Sequence, residues 1–244
     1  MPTNTLQDWF ATPLGQYLLE KEQAYLDDMT PDIFGFHALQ VGMSQVDLLR
    51  ASRIAHRVRV DSANRPDLYA KSHELPVATQ SVDLVVLPHG LEFATRPHEI
   101  LREVDRVMMP EGRLVIMGFN PWSLWGLRSA VGPSRGEFPW NGRFVSLLRV
   151  KDWLALLGFD VNAGRLVAYA PPFERESVRR RFGFMEPAGD RWWAVGGAVY
   201  MLQAIKRVRG MRLLTPAWSE QKETREKALA AAKRQAVSHL RVVK

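Results

Sequence analysis

Residues 101–120 read LREVDRVMMPEGRLVIMGFN and place a helical pattern, a turn and an apolar run in succession. The helical pattern begins further back and covers residues 96–108, where apolar residues recur at helical spacing. The letters PEG at 110–112 are typical of a turn, and the mostly apolar residues 113–119 predict a strand that is buried on both faces. A helix that leads through a turn into such a strand is a repeating unit of an α/β fold.

The same kind of unit recurs on both sides of this stretch. Further β-type runs are HALQV (37–41), HRVRVD (56–61), VDLVVL (82–87), FDVNAGRLVAYA (159–170) and GGAVYMLQAIKRV (196–208). Helical patterns over residues 47–55 and 151–158 lie between them. With the run at 113–119 these patterns give six or seven strands, and the alternation predicts an α/β fold, for which we expect a Rossmann-like, doubly wound and mainly parallel seven-stranded sheet.

Three regions are predicted along the chain. Residues 1–36 form an N-terminal helical cap, because apolar residues recur at largely helical spacing between positions 6 and 29. Residues 37–210 form the α/β domain. Residues 211–244 form a basic tail that is helical or disordered, since they are rich in helix formers but offer few apolar side chains to bury.

The basic charge belongs to the end of the chain. Residues 206–244 hold 11 Lys and Arg against 3 Asp and Glu, whereas residues 1–205 hold 22 against 23. We therefore expect a nearly neutral body, and a tail that contacts nucleic acid or an anionic surface weakly and without a specific site.

Composition excludes several classes of site. The chain has no cysteine, which excludes disulfides, zinc sites with thiolate ligands and cysteine nucleophiles. No metal site is predicted. The N-terminus lacks the pattern of a secretory signal, and no apolar run approaches the roughly 20 residues that span a bilayer. We expect a cytoplasmic protein without a membrane span.

The stretch from residue 37 to residue 119 resembles the class I S-adenosylmethionine-dependent methyltransferase family, of the methyltransferase type 11 kind. Four motifs carry the resemblance: a glycine after the first strand in ALQVGMS, an acidic end to HRVRVD, the LP of SHELP, and the PEG turn. The resemblance implies S-adenosyl-L-methionine as the cofactor and methylation of an acceptor that these residues do not identify.

By this resemblance, Gly42, Met43 and Ser44 belong to the cofactor loop. Gly42 occupies the place of the first glycine of the family's loop, whereas Ser44 and Val46 stand where further glycines are usual. Gln40 replaces a common aspartate. Glycines in such a loop let the backbone approach the cofactor and direct N–H groups at its carboxylate, so this loop is a degenerate version. The alternative is a plain turn after a strand.

Asp61 ends the second strand, 19 residues after Gly42, a spacing that suits an acidic residue bound to ribose hydroxyls. The alternative is an aspartate that caps the next turn. In the family, the residues before LP line the adenine pocket, and Lys71 replaces the usual aspartate at the start of that stretch. The corresponding positions here are Ser72, His73, Glu74 and Leu75.

His89 is a candidate general base for acceptors that must lose a proton, because it directly follows the fourth strand and imidazole titrates near neutral pH. The alternative is a partly buried histidine that bonds to backbone. The resemblance implies a methyltransferase, and the altered cofactor loop leaves an alternative, a catalytically inactive binding or regulatory module with the same fold. A nicotinamide oxidoreductase is disfavoured, because no G-x-G-x-x-G follows the first strand.

Overall fold

A computed structural model describes residues 5–63, 65–131, 137–192 and 195–207. Seven strands form one sheet: β1 (His37–Val41), β2 (His56–Asp61), β3 (Leu68–Tyr69), β4 (Val82–Pro88), β5 (Met108–Phe119), β6 (Phe159–Val167) and β7 (Val199–Lys206). Their order is β3-β2-β1-β4-β5-β7-β6; β7 runs antiparallel to both β5 and β6, and the other neighbouring pairs are parallel. The predicted Rossmann-like, mainly parallel seven-stranded sheet is confirmed.

The helices are α1 (Leu6–Phe10), α2 (Pro13–Met29), α3 (Pro97–Val107), α4 (Leu124–Val131), α5 (Leu147–Leu156), α6 (Glu176–Arg181) and α7 (Met185–Trp192). A short 3-10 turn, Thr30–Asp32, follows α2. Among the described residues, no helix combines the length and the apolar character that crossing a membrane requires. The predicted basic tail, residues 211–244, lies outside the described residues.

Apolar clusters cover both faces of the sheet. On one face, Leu84 of β4 belongs to a buried cluster that includes Leu18 of α2. On the other face, Val85 belongs to a cluster that includes Val104 of α3 and Leu154 of α5. Neighbouring residues of β4 point to opposite faces, so a continuous apolar strand can supply both clusters.

The N-terminal segment forms two helices, α1 and α2. Thr12 separates them, because its hydroxyl accepts a hydrogen bond from Gly15 N at 3.1 Å and caps α2. The ring of Trp9 packs edge-on against Phe119 at 6.0 Å and Trp125 at 6.1 Å between centroids. The N-terminal helices therefore cover the carboxyl end of β5.

The helix predicted over residues 47–55 is wrong, since these residues form turns. Asp47 Oδ1 accepts a hydrogen bond from Leu49 N at 3.1 Å, and Ser52 Oγ accepts one from Ile54 N at 3.2 Å. Such local side-chain bonds to the backbone compete with helical hydrogen bonds. The buried leucine and isoleucine side chains of this stretch enter the core from turns instead of from one helical face.

The PEG turn becomes an irregular part of β5. Val82 pairs with Met108 and Leu84 pairs with Arg113. Between these two pairs, β5 advances by five residues and β4 by two. Glu111, in the middle of the extra residues, has a left-handed φ of 63°. The strand therefore begins at Met108, earlier than the apolar run indicated.

Candidate functional site

Three of the predicted site segments meet at the carboxyl edge of the sheet. Residues 42–44 follow β1, Asp61 ends β2, and His89 follows β4. Because β1 lies between β2 and β4, these segments are neighbours. In open α/β sheets, ligands bind outside the carboxyl ends of the strands. The fold thus brings the predicted cofactor loop and the predicted ribose ligand to the expected edge.

Gly42 has the backbone geometry that close approach to a ligand requires. Its φ is 95°, which favours glycine, and its N–H donates to Val60 O at 2.8 Å. A Cβ atom at this position would meet only Pro88 O, at 3.8 Å, so the backbone borders open space. Met43 differs, because its side chain is buried in the core and leaves only its backbone for a ligand.

The carboxylate of Asp61 already accepts hydrogen bonds from the chain. Its Oδ2 accepts from Ser44 N at 3.3 Å and Ser44 Oγ at 3.2 Å. Its Oδ1 accepts from Ser62 N at 2.7 Å and Ala63 N at 3.4 Å. The structure therefore contains the turn cap that was the alternative for Asp61, and the ribose contact stays a prediction. A ribose hydroxyl would have to share Oδ2 with Ser44 or displace it.

Gln40 determines the shape of the loop after β1. Its side chain is fully buried, and Nε2 donates to the carbonyl oxygens of Gly42, Met43 and Val46 at 3.1, 2.9 and 2.9 Å. Its Oε1 accepts from Leu48 N at 3.1 Å. A carboxylate cannot donate to carbonyl oxygens, so the loop is folded around an amide. The sequence signal for this role was the replacement of the family's aspartate.

A groove of about 590 Å³ begins at Ser62, the residue after Asp61. Ser62 lines it together with Ser72 and His73, two of the four predicted adenine-pocket residues. The opposite wall comes from the loop after β4 and the start of α3. The structure thus brings Ser72 and His73 to the same side of the sheet edge as Asp61.

The other two predicted adenine-pocket residues lie elsewhere. Glu74 is exposed and its Oε2 lies 3.8 Å from Lys71 Nζ. Leu75 is buried in the core, and its N–H donates to Glu103 Oε1 at 2.7 Å. An apolar side chain beside a buried helix joins the core, so we do not place Leu75 on the surface of the groove.

His89 is enclosed between two carboxylates. Its Nε2 lies 2.8 Å from Glu22 Oε1 on α2, and its Nδ1 lies 3.4 Å from Glu92 Oε1. Glu92 Oε1 also accepts from Phe119 N at 2.6 Å. All three ionisable side chains are fully buried. No sequence pattern indicated Glu22 or Glu92 as partners of the histidine.

This environment changes the acid–base chemistry of the imidazole. Burial opposes its positive charge, but Glu22 and Glu92 outweigh burial and raise the pKa of His89 to about 10. A protonated imidazole with both nitrogens facing carboxylates cannot accept a proton from an acceptor. The geometry therefore favours a structural role for His89 over the predicted general base.

Other chemistry is limited among the described residues. They contain no group of three or more His, Asp or Glu residues arranged to hold a metal ion. Trp125 is buried and its Nε1 donates to Ala170 O at 2.9 Å, whereas Trp122 is 75% exposed. The carboxyl edge thus presents a loop, a groove and a packed aromatic cluster.

Comparison with known proteins agrees with this geometry. Residues 38–116 match the family model described as a methyltransferase domain. The chain is 38% identical over 155 residues to the uncharacterized protein YafS of Escherichia coli, with 63% of this chain and 65% of that protein covered. It is 29% identical over 122 residues to the ubiquinone/menaquinone biosynthesis C-methyltransferase UbiE of Roseobacter denitrificans, with 47% of each covered. The chain thus spans less than two thirds of these relatives.

Solved structures share the fold. A methyltransferase from Thermotoga maritima, described as S-adenosylmethionine-dependent and a possible histamine N-methyltransferase, aligns with a TM-score of 0.63 at 17% identity, covering 82% of this chain and 94% of that one. A methyltransferase from Archaeoglobus fulgidus, also described as S-adenosylmethionine-dependent, aligns with a TM-score of 0.57 at 20% identity, covering 78% and 94%. The predicted resemblance is confirmed: residues 38–116 match a methyltransferase domain, and the chain shares its fold with solved structures that are described as S-adenosylmethionine-dependent methyltransferases.

Proposed function

We propose that this chain binds S-adenosyl-L-methionine at the carboxyl ends of β1 and β2 and transfers the methyl group to an acceptor still to be identified. One observation carries the proposal: the backbone of Gly42 borders open space at the end of β1, and the groove lined by Ser62, Ser72 and His73 begins at the residue after Asp61. The loop would face the cofactor backbone, the carboxylate would face its ribose, and the groove would accept its adenine, so one sheet edge suits an extended nucleoside ligand.

The residues present fit such a cofactor. Gly42 would let the backbone approach it, Asp61 would accept hydrogen bonds from the ribose, and Ser72 and His73 would lie beside the adenine. When bound, the cofactor supplies a methyl group activated by a sulfonium. Transfer then needs no covalent bond to the protein, since orientation of the acceptor and exclusion of water account for most of the effect.

Specific contacts favour a second candidate, the catalytically inactive binding or regulatory module. Ser44 occupies Asp61 Oδ2, and Gln40 draws the loop carbonyls inward. Four backbone N–H groups of this loop, those of residues 42, 44, 46 and 48, already bond within the chain. A loop so occupied offers fewer donors to a cofactor carboxylate.

Calorimetric titration tests the proposal. We expect S-adenosylmethionine and its demethylated product S-adenosylhomocysteine to bind saturably, whereas NAD should not bind. Absence of binding by both sulfur nucleosides would contradict the proposal.

A second assay separates the two candidates. The protein is incubated with methyl-labelled S-adenosylmethionine and fractionated small-molecule and RNA extracts. Transfer of label to any fraction would support an enzyme. Saturable cofactor binding without transfer to any fraction would support the inactive module.

A further inference from the structure

A second concave surface lies beside the cofactor groove, between α3 and α5. It encloses about 800 Å³ and contains four basic side chains, Arg96, Arg102, Arg143 and Arg149. We call it the arginine groove. The one carboxylate among its lining residues, Glu99, accepts from Arg96 Nη1 at 2.7 Å. Within the part of the chain that the structure describes, the other three guanidinium groups are not neutralised by an ion pair.

The three unneutralised arginines come from separate segments that the fold holds in place. Arg102 belongs to α3, Arg149 to α5, and Arg143 to the loop that leads into α5. The N–H of Arg143 donates to Glu92 O at 2.9 Å. The next residue, Phe144, stacks on Phe119 with 4.9 Å between ring centroids. These contacts fix the backbone beside Arg143, and the fold brings the three exposed arginines from separate segments to one concave surface.

The groove also has an aromatic wall. The rings of His98 on α3 and Trp153 on α5 contact each other with 4.1 Å between centroids. Arg102 lies one helical turn from His98, and Arg149 lies one turn from Trp153, so both arginines flank this wall. In addition, no side chain caps the N-terminus of α3, whose first residues line the groove. The positive end of the helix dipole therefore adds to the arginine charges.

We propose that the arginine groove binds a phosphate-bearing small molecule. A guanidinium group matches phosphate oxygens with two parallel hydrogen bonds, which makes arginine suited to this ligand. The volume falls in the range of small-molecule sites, and the aromatic wall suits a planar or apolar part of the ligand. The proposal goes beyond the proposed function and does not depend on it, because Arg102 and Arg149 do not line the cofactor groove.

The test uses inorganic pyrophosphate as the probe, titrated calorimetrically at low ionic strength. We expect the unmodified chain to bind it, and the double variant Arg102→Gln/Arg149→Gln to bind at least about tenfold more weakly. The matched control is Arg53→Gln/Arg181→Gln, which removes two exposed arginines outside the groove. This control should bind pyrophosphate like the unmodified chain.

Absence of pyrophosphate binding would overturn the proposal, as would equal weakening in both double variants. A single-stranded oligonucleotide is titrated in the same way. If the chain binds it through these arginines and does not bind pyrophosphate, the proposal is also overturned. Circular dichroism of each variant checks that the fold is retained. S-adenosylhomocysteine binding should be unchanged in both. Pyrophosphate binding without S-adenosylhomocysteine binding would count against the proposed function alone.

Discussion

The Nε2 atom of His89 lies 2.8 Å from Glu22 Oε1, and this contact joins α2 to the loop after β4. Glu92 completes the arrangement, because it faces the other imidazole nitrogen and accepts the N–H of Phe119 at the end of β5. The second carboxylate oxygens of Glu22 and Glu92 are buried and have no hydrogen-bond partner among the described residues. The imidazolium therefore provides the compensating charge for this part of the core.

Replacement of His89 should destabilise the fold strongly. His89→Gln removes the buried imidazolium that Glu22 and Glu92 both face, and loss of one partner from a buried ion pair typically costs about 3–5 kcal/mol. The free energy of unfolding, from urea titration at pH 7, measures the loss. The control His73→Gln changes an exposed histidine and should shift the same free energy by less than about 0.5 kcal/mol. Similar effects of the two changes would contradict the buried-charge account.

The stability of the unmodified protein should fall as the pH rises. The folded pKa of His89, about 10, lies above its ordinary value of 6.5. The folded state therefore retains a proton that the unfolded state loses, and the stabilisation is full below pH 6.5, declines between 6.5 and 10, and is lost above 10. Urea unfolding at pH 6.5 and pH 9 should show this decline. His89→Gln should show a smaller decline, and equal declines would argue against a protonated His89.

Gln40→Glu should disrupt the loop after β1. A carboxylate cannot donate to the carbonyl oxygens of Gly42, Met43 and Val46, so buried acceptors lose their donor at a cost of about 1–3 kcal/mol. Gln45→Glu makes the same chemical change at an exposed position of the same loop. Unfolding free energies and amide hydrogen exchange over residues 42–48 should change only in Gln40→Glu. Faster exchange in both variants would mean that the buried amide does not hold the loop.

Restoring glycines to the loop should tighten cofactor binding. In Ser44→Gly/Val46→Gly, the hydroxyl that competes for Asp61 Oδ2 is gone. We expect a severalfold lower dissociation constant for S-adenosylhomocysteine in calorimetry. Val46→Gly alone adds backbone freedom without freeing Asp61 and should bind like the unmodified chain or more weakly. Weaker binding by the double variant would mean that Ser44 and Val46 support the cofactor site and do not compete with it.

The ends of the strands were predictable, because residues adjacent in the sequence determine where each strand begins and ends. β1 and β2 occupy the runs 37–41 and 56–61, since each is apolar enough to pair and is bounded by polar or turn-forming residues. The turns over residues 47–55 were not predictable, because the apolar spacing of this stretch is typical of a helix. The backbone of the stretch is held instead by side chains of its own and by Gln40, whose contacts depend on the folded loop.

The positions of site residues were predictable where the strand order alone brings them together. Gly42 and Asp61 follow adjacent parallel strands, so their approach follows from the strand order. Glu22 was not predictable, because it lies 67 residues before His89 and a charged residue on a helix is usually exposed. Leu75 was assigned to the ligand by its position before a proline, but its apolar side chain belongs to the core.

The affinity of Asp61→Asn for S-adenosylhomocysteine tests the central claim most directly. Asparagine keeps one oxygen for the turn but removes the charge that strengthens hydrogen bonds from the ribose. The control Asp160→Asn makes the same change at an exposed strand position on β6. We predict that calorimetry will show saturable binding by the unmodified chain and by Asp160→Asn, and binding about tenfold to a hundredfold weaker by Asp61→Asn. Equal dissociation constants in all three proteins, or no binding by the unmodified chain, would contradict a cofactor site at the ends of β1 and β2.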